Sequence, residues 1–161
     1  MSQYSAGLSI ATSQKPQAIY DLLTQTCPSF TLDSSYPRIG LGRRTADEQM
    51  HFRIADLTRP EDAIRAGRWS RHGVRPTVTV DLSLDPKLDD TRRTFIQTLN
   101  ECVNRLDGDF YLFVIDAIPG GIAMWRHGDR IEVDPRRGSW WQPEHLRMFT
   151  FEYTQAHLPE S

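Results

Sequence analysis

Residues 75–114 constrain the fold more than any other part of the chain. Val78, Val80, Leu82 and Leu84 alternate with polar neighbours, the period of a strand with one wet face. Phe95, Ile96, Leu99, Cys102, Val103 and Leu106 then recur at offsets of one, four, seven, eight and eleven, which keeps them within one face of a helix. Gly108-Asp109 stops that helix. An unbroken apolar run, Phe110 to Ile115, follows, as in a strand covered on both faces. The segment is therefore a strand–helix–strand unit around one core. Burying a Leu or Phe is worth about 1.5–3 kcal/mol, so the helix stripe alone contributes roughly 10 kcal/mol before chain entropy is subtracted. Leu99→Asp is expected to prevent folding.

The flanking pattern completes the unit. Leu8 and Ile10 mark a first strand over residues 4–12. Ser13 and Pro16 open a helix whose buried stripe is Ala18, Ile19, Leu22 and Leu23, and Cys27-Pro28 ends it. Residues 30–33 and 38–42 are compatible with two short strands joined by a turn at 34–37, although Gly40 and Gly42 weaken a strand interior. Beyond Pro119-Gly120-Gly121, residues 122–126 and 130–134 read as a hairpin turning at His127-Gly128-Asp129. A short helical piece near 143–148 and a last alternating strand through Phe149, Phe151 and Tyr153 follow. The expected fold is one α+β domain over residues 1–161. It has a single mixed or antiparallel sheet of about six or seven strands and two main helices on one face.

The least regular part is residues 43–76, an excursion with eight arginines against five carboxylates. Met50, Phe52 and Ile54 suggest one strand inside it, and residues 60–66 a helical turn or two. The remainder reads as a long surface loop, and such loops tend to be functional or mobile.

Composition narrows the function classes. Net charge is −2, so bulk attraction to nucleic acid or to an anionic membrane has no support, and neither is the expected partner. No apolar run approaches a membrane span, and residues 1–10 are too polar for a signal-peptide core, which points to the cytoplasm. Two cysteines, Cys27 and Cys102, make no disulfide framework, and the absence of C-x-x-C argues against zinc. No cofactor is expected.

Candidate chemistry is sparse. The five histidines are scattered, with none at metal-ligand spacing from another. There is no G-x-S-x-G and no phosphate-binding glycine loop. Asp81, Asp85, Asp89 and Asp90 surround the start of the second helix, where carboxylates favour the positive end of the dipole; metal or partner binding is the other reading. Trp140 and Trp141 are adjacent and cannot both enter one core face. With Arg126, Arg136 and Arg137 nearby and Asp134 in support, they have the composition of an interface anchor, against the alternative of tryptophans sealing the core edge. A rival reading makes the chain an enzyme built on His127, Asp129 and Glu132. A third makes it a regulatory or nucleic-acid module using the arginines of 43–75, with salt-sensitive binding.

A family resemblance supports the interface reading. Arg75-Pro76-Thr77 leads into Val-x-Val-x-Leu-x-Leu-Asp, an amphipathic helix, Gly108-Asp109 and an apolar strand. Arg126 follows in a hairpin, then a Trp-x-x-x-x-Leu step from Trp141 to Leu146 and a final aromatic stretch ending at Tyr153. In these features residues 75–159 resemble the SitI-type immunity proteins, with a weaker echo in residues 4–23. That family partners lipoprotein toxins used in bacterial kin discrimination. The resemblance implies a small cytoplasmic protein without catalysis that binds and blocks one cognate protein toxin. Two features depart from the family pattern, the long 43–76 excursion and the bulky Ile118-Pro119-Gly120-Gly121 turn.

Overall fold

The computed structural model describes residues 4–26, 30–32, 42–45, 50–84, 89–114, 120–136 and 143–160. Nine strands join one sheet. In chain order the elements are β1 (Tyr4–Ala11), α1 (Pro16–Thr26), β2 (Phe30–Leu32), β3 (Gly42–Thr45), β4 (Met50–Asp56) and α2 (Ala63–Arg68). Then come β5 (Val78–Leu84), α3 (Asp89–Arg105), β6 (Asp109–Val114), β7 (Gly121–His127), β8 (Arg130–Val133), α4 (Pro143–Leu146) and β9 (Thr154–Gln155). The sheet order is β2-β3-β4-β5-β1-β6-β7-β8-β9, with every described pairing antiparallel except β8 with β9. Seven strands have four or more residues, and the two shorter ones form the outer edges. This is the expected α+β architecture with a mixed sheet.

The strand–helix–strand unit is split. β1 lies between β5 and β6 and runs antiparallel to both, so β5 and β6 are parallel with α3 as their crossover. Strand periodicity sends Ala6, Leu8 and Ile10, Val78, Val80 and Leu82, and Phe110, Leu112 and Val114 to one face. There they pack with Ile19, Leu22 and Leu23 of α1 and with Phe95, Ile96, Leu99 and Cys102 of α3. The opposite face carries a smaller cluster of Val74, Tyr111, Ile122 and Leu158, with Phe113 and Trp125 against it. That second layer explains the unbroken apolar run of β6. Its even residues meet the helices, and its odd residues meet the excursion and the C-terminal tail.

Two segments differ from expectation. The excursion holds the expected strand as β4 and the expected helical turns as a 3-10 turn at Pro60–Asp62 and α2, and adds β3, which the sequence did not mark over Gly42–Thr45. Phe149, Phe151 and Tyr153 do not form the expected strand. Their rings pack on one another, with centroids 4.7 Å apart for the first two, and against the main core. β8 is only four residues long, so it offers the segment little edge, and only Thr154 and Gln155 pair with it. The expected turn at 34–37, the helix end at Cys27-Pro28 and the Ile118-Pro119 turn lie outside the described residues. Among the described residues no helix is long and apolar enough to cross a membrane.

One joint locks the two ends of the unit together. Gly108 takes φ +84° where the chain leaves α3, and a Cβ there would lie 1.7 Å from the Ala11 carbonyl oxygen. Only glycine permits that approach. Beside it, the Thr12 and Ser13 hydroxyls and the Ser13 amide donate to the Asp107 carboxylate. Led by the Ser13 hydroxyl, these donors hold the Asp107 carboxyl below its ordinary range.

Candidate protein-binding surface

Three of the six residues expected to form a partner patch are described, and all three are engaged inside the fold. Arg126 faces the helices because it stands opposite Phe110 in the β6–β7 register. It is 8% exposed and donates to the carbonyls of Val103, Leu106 and Gly108 at 3.0, 2.7 and 2.9 Å. Val103 lies in the last turn of α3, whose carbonyls lack intrahelical partners, and Leu106 and Gly108 lie just beyond it, where a cation is the favoured group. Burial lowers the pKa of the guanidinium, while Asp109 and Asp107 act in the opposite direction. Arg126 therefore ties β7 to the end of α3.

Asp134 is fully buried. It accepts from the Arg136 amide at 2.9 Å, from Arg136 Nη2 at 2.7 Å and from the Leu158 amide at 2.9 Å. Arg136 also donates to the Leu158 carbonyl at 3.1 Å. The pair clamps the C-terminal tail onto the sheet. The expectation of a partner-facing patch is thus corrected for Arg126 and Asp134, while Arg136, its side chain 34% exposed, keeps part of its guanidinium at the surface. Strand register and tail docking, which composition does not reveal, turn Arg126 and Asp134 inward. Arg137, Trp140 and Trp141 lie outside the described residues.

The residues of the enzyme reading all lie on the hairpin of β7 and β8. Gly128 (φ +62°) and Asp129 make the two-residue turn between β7 and β8, and the Gly128 amide donates to Asp109 at 2.8 Å. His127 Nδ1 stands 3.7 Å from Asp109 Oδ2 and its ring packs on Trp125. Glu132 accepts from Trp125 Nε1 at 3.1 Å and pairs with Arg130 at 3.2 Å. Asp129 is exposed at the turn. His127 and Glu132 both lie against Trp125, each with a polar partner in the hairpin or in β6. Among the described residues no group of three or more His, Cys, Asp or Glu is placed to hold a metal ion. A depression of about 430 Å³ between α1 and α3 is lined by Gln25, Gln97, Asn100, Glu101, Asn104 and Arg105, several of them already bonded. Asn100 holds the Met148 carbonyl and the Thr150 amide, and Arg105 holds Gln25 and Glu101.

A different surface stands out. Among the described residues the exposed large hydrophobic side chains are Ile64, at 73%, and Trp69, at 45%. They are five residues apart. Ala66 is the buried residue of α2, so helical geometry turns Ile64 and Arg68 directly outward and puts Trp69 on the flank. Arg59, Arg65, Arg68, Arg71 and Arg75 are exposed around them.

The patch is mounted on the sheet by specific contacts. The Tyr111 hydroxyl donates to the Trp69 carbonyl at 2.7 Å. Arg71 and Val74 exchange backbone hydrogen bonds across His72 and Gly73, whose φ values of +54° and +80° are those of a type I′ turn. The turn lays His72 against Tyr111 and Trp125, with ring centroids 6.0 and 5.5 Å apart, and sets Arg71 over the Phe113 ring at 5.9 Å. Val74 is buried beneath. Sequence reasoning saw the arginines of this segment but missed its anchors, because a His-Gly turn is a weaker signal than Asn-Gly. Comparison of the chain with family models, with curated proteins and with solved structures finds no match in any of the three.

Proposed function

We propose that this chain is a cytoplasmic, non-catalytic binding protein of the immunity type, which neutralises a cognate protein toxin by direct contact. The observation that supports it is that the exposed large hydrophobics of the described residues, Ile64 and Trp69, fall on α2 and at its C-terminal cap among exposed arginines. Scattered single hydrophobics on a surface need no explanation. Here the two lie five positions apart, about 140° around the helix axis, with Arg65 and Arg68 between them. That is the layout of an interface, in which a few aromatic or aliphatic anchors desolvate and a polar rim surrounds them. Holding the anchors on the sheet through Tyr111, His72 and Val74 reduces the ordering cost of association. The resemblance of residues 75–159 to SitI-type immunity proteins supplies the class of partner.

The test is co-expression with the product of the neighbouring gene, which the proposal expects to be the toxin. The wild-type protein is expected to co-purify with that toxin and to restore growth. The double variant Ile64→Ala/Trp69→Ala, with an unchanged circular dichroism spectrum, is expected to bind at least tenfold more weakly. If the wild-type pair neither associates nor protects cells, the proposal fails.

A further inference from the structure

We infer that the partner meets this excursion with an acidic protein face, whose carboxylates are reached by the arginines around α2, Arg65 and Arg68 among them, and whose apolar groups are met by Ile64 and Trp69 on either side of those two. The inference rests on the reading of the chain as a binding protein, but not on the partner being a toxin.

Charge distribution carries it. Residues 58–75 hold five of the chain's nineteen basic side chains and two of its twenty-one acidic ones, so a positive surface sits on an otherwise acidic protein. Arg65 is 3.6 Å from Asp62, and Arg71 lies over Phe113. None of the ion pairs among the described residues engages Arg59, Arg68 or Arg75. These three guanidiniums are exposed and have charge to offer. Arginine is suited to this use, because its planar fork binds carboxylates in bidentate fashion and is weakly hydrated for a cation.

The same patch argues against nucleic acid. Its most exposed apolar group, Ile64, has no π-face on which a base stacks. Apolar anchors with a cationic rim instead match an acidic protein surface, where the rim steers encounter and the anchors slow dissociation.

The experiment is a selection of random twelve-residue peptides displayed on phage against the immobilised full chain. Selected peptides are expected to carry Asp and Glu flanking an apolar or aromatic residue. Their binding is expected to weaken at least fivefold between 50 and 300 mM salt. Arg65→Glu/Arg68→Glu is expected to lose those peptides by tenfold or more and to select basic ones in their place. A misfolded variant would not produce that inversion of selectivity. Peptides without acidic bias, or acidic peptides held equally well by the charge-reversed variant, would overturn the inference. Tighter binding of single-stranded homopolymer RNA than of any peptide would also overturn it, as would self-association that the charge reversal abolishes. Success here with no rescue from the toxin would leave the acidic-partner inference standing and remove the immunity reading.

Discussion

Arginine and aromatic side chains meet in two places in this molecule, with opposite consequences. At the end of α3, Arg126 lies over the Phe110 ring at 5.0 Å and spends its donors on three backbone carbonyls. Around α2, Arg68 and Trp69 are exposed, and Trp69 is tied in through its backbone, its amide donating to the Arg65 carbonyl and its carbonyl accepting from the Tyr111 hydroxyl. The residue types are the same. What differs is the scaffold beneath them. A side chain on a central strand has its direction set by register, and a guanidinium pointed at the end of a helix finds carbonyls that need donors. A side chain on the outer face of a six-residue helix has nothing above it. The first place therefore reads as fold and the second as function.

The sharpest way to test that contrast is with glycine, since each region holds one. Gly108→Ala would put a methyl group 1.7 Å from the Ala11 carbonyl oxygen at φ +84°, so the backbone must move. Overpacking and left-handed strain together cost about 3–5 kcal/mol. Gly67→Ala in α2 meets no atom within 4 Å, and helix propensity favours the alanine by about 0.5–1 kcal/mol. Urea unfolding of the two variants should show a large loss in one and no loss in the other. Equal losses would mean that the excursion is as tightly built as the joint.

Arginine gives a second, smaller contrast. Arg126→Met keeps an apolar stem over Phe110 but strips the donors from the Val103, Leu106 and Gly108 carbonyls, at an expected cost of about 3 kcal/mol. Arg68→Met, on an exposed side chain with no ion pair, should stay within about 0.5 kcal/mol. Thermal denaturation separates the two. Partner binding should respond in the reverse order, weakened by Arg68→Met and unchanged by Arg126→Met in whatever fraction remains folded.

These contrasts also mark what was legible in the sequence. Periodicity was enough for β1, α1, β5, α3 and β6, because each carries its apolar stripe at an unambiguous spacing. The Leu99 and Cys102 stripe is buried as its offsets require. The unbroken run in β6 announced cover on both faces, without saying that residues 69–74 and the tail near Leu158 supply the second cover. The site was far less legible. Arg126, Asp134 and Arg136 were grouped by nearness in sequence to tryptophans, whereas their roles depend on contacts across 18 to 24 positions. Ile64 and Trp69 gave no periodic signal, because an exposed hydrophobic is recognised only once its burial is known. The 149–153 aromatics had the alternation of a strand but lacked a neighbouring edge long enough to pair with.

The finest distinction between the two regions is how each responds to protons. At the joint, the carboxyl of Asp107 is held below its ordinary range by the Ser13 and Thr12 donors, so its contribution is present at neutral pH and fades only in acid. In the excursion the titrating group is His72. Its imidazole is pushed below the usual 6.5, first by desolvation and then by the positive charge of Arg71 and of His127. A histidine whose folded pKa is lowered binds fewer protons folded than unfolded. Its contribution is complete above about pH 6.5 and is lost as pH falls from there toward the folded value. Acidification from pH 7.5 to 5.5 should therefore loosen the excursion while the joint stays closed. Hydrogen exchange of amides 69–74 should quicken relative to those of β1 and β6. His72→Asn is the discriminating variant, because asparagine tolerates the positive φ of this turn and does not titrate. With asparagine there the excursion should exchange equally at both pH values, after correction for intrinsic rates. A pH dependence that survives the substitution would place the sensitivity outside this turn.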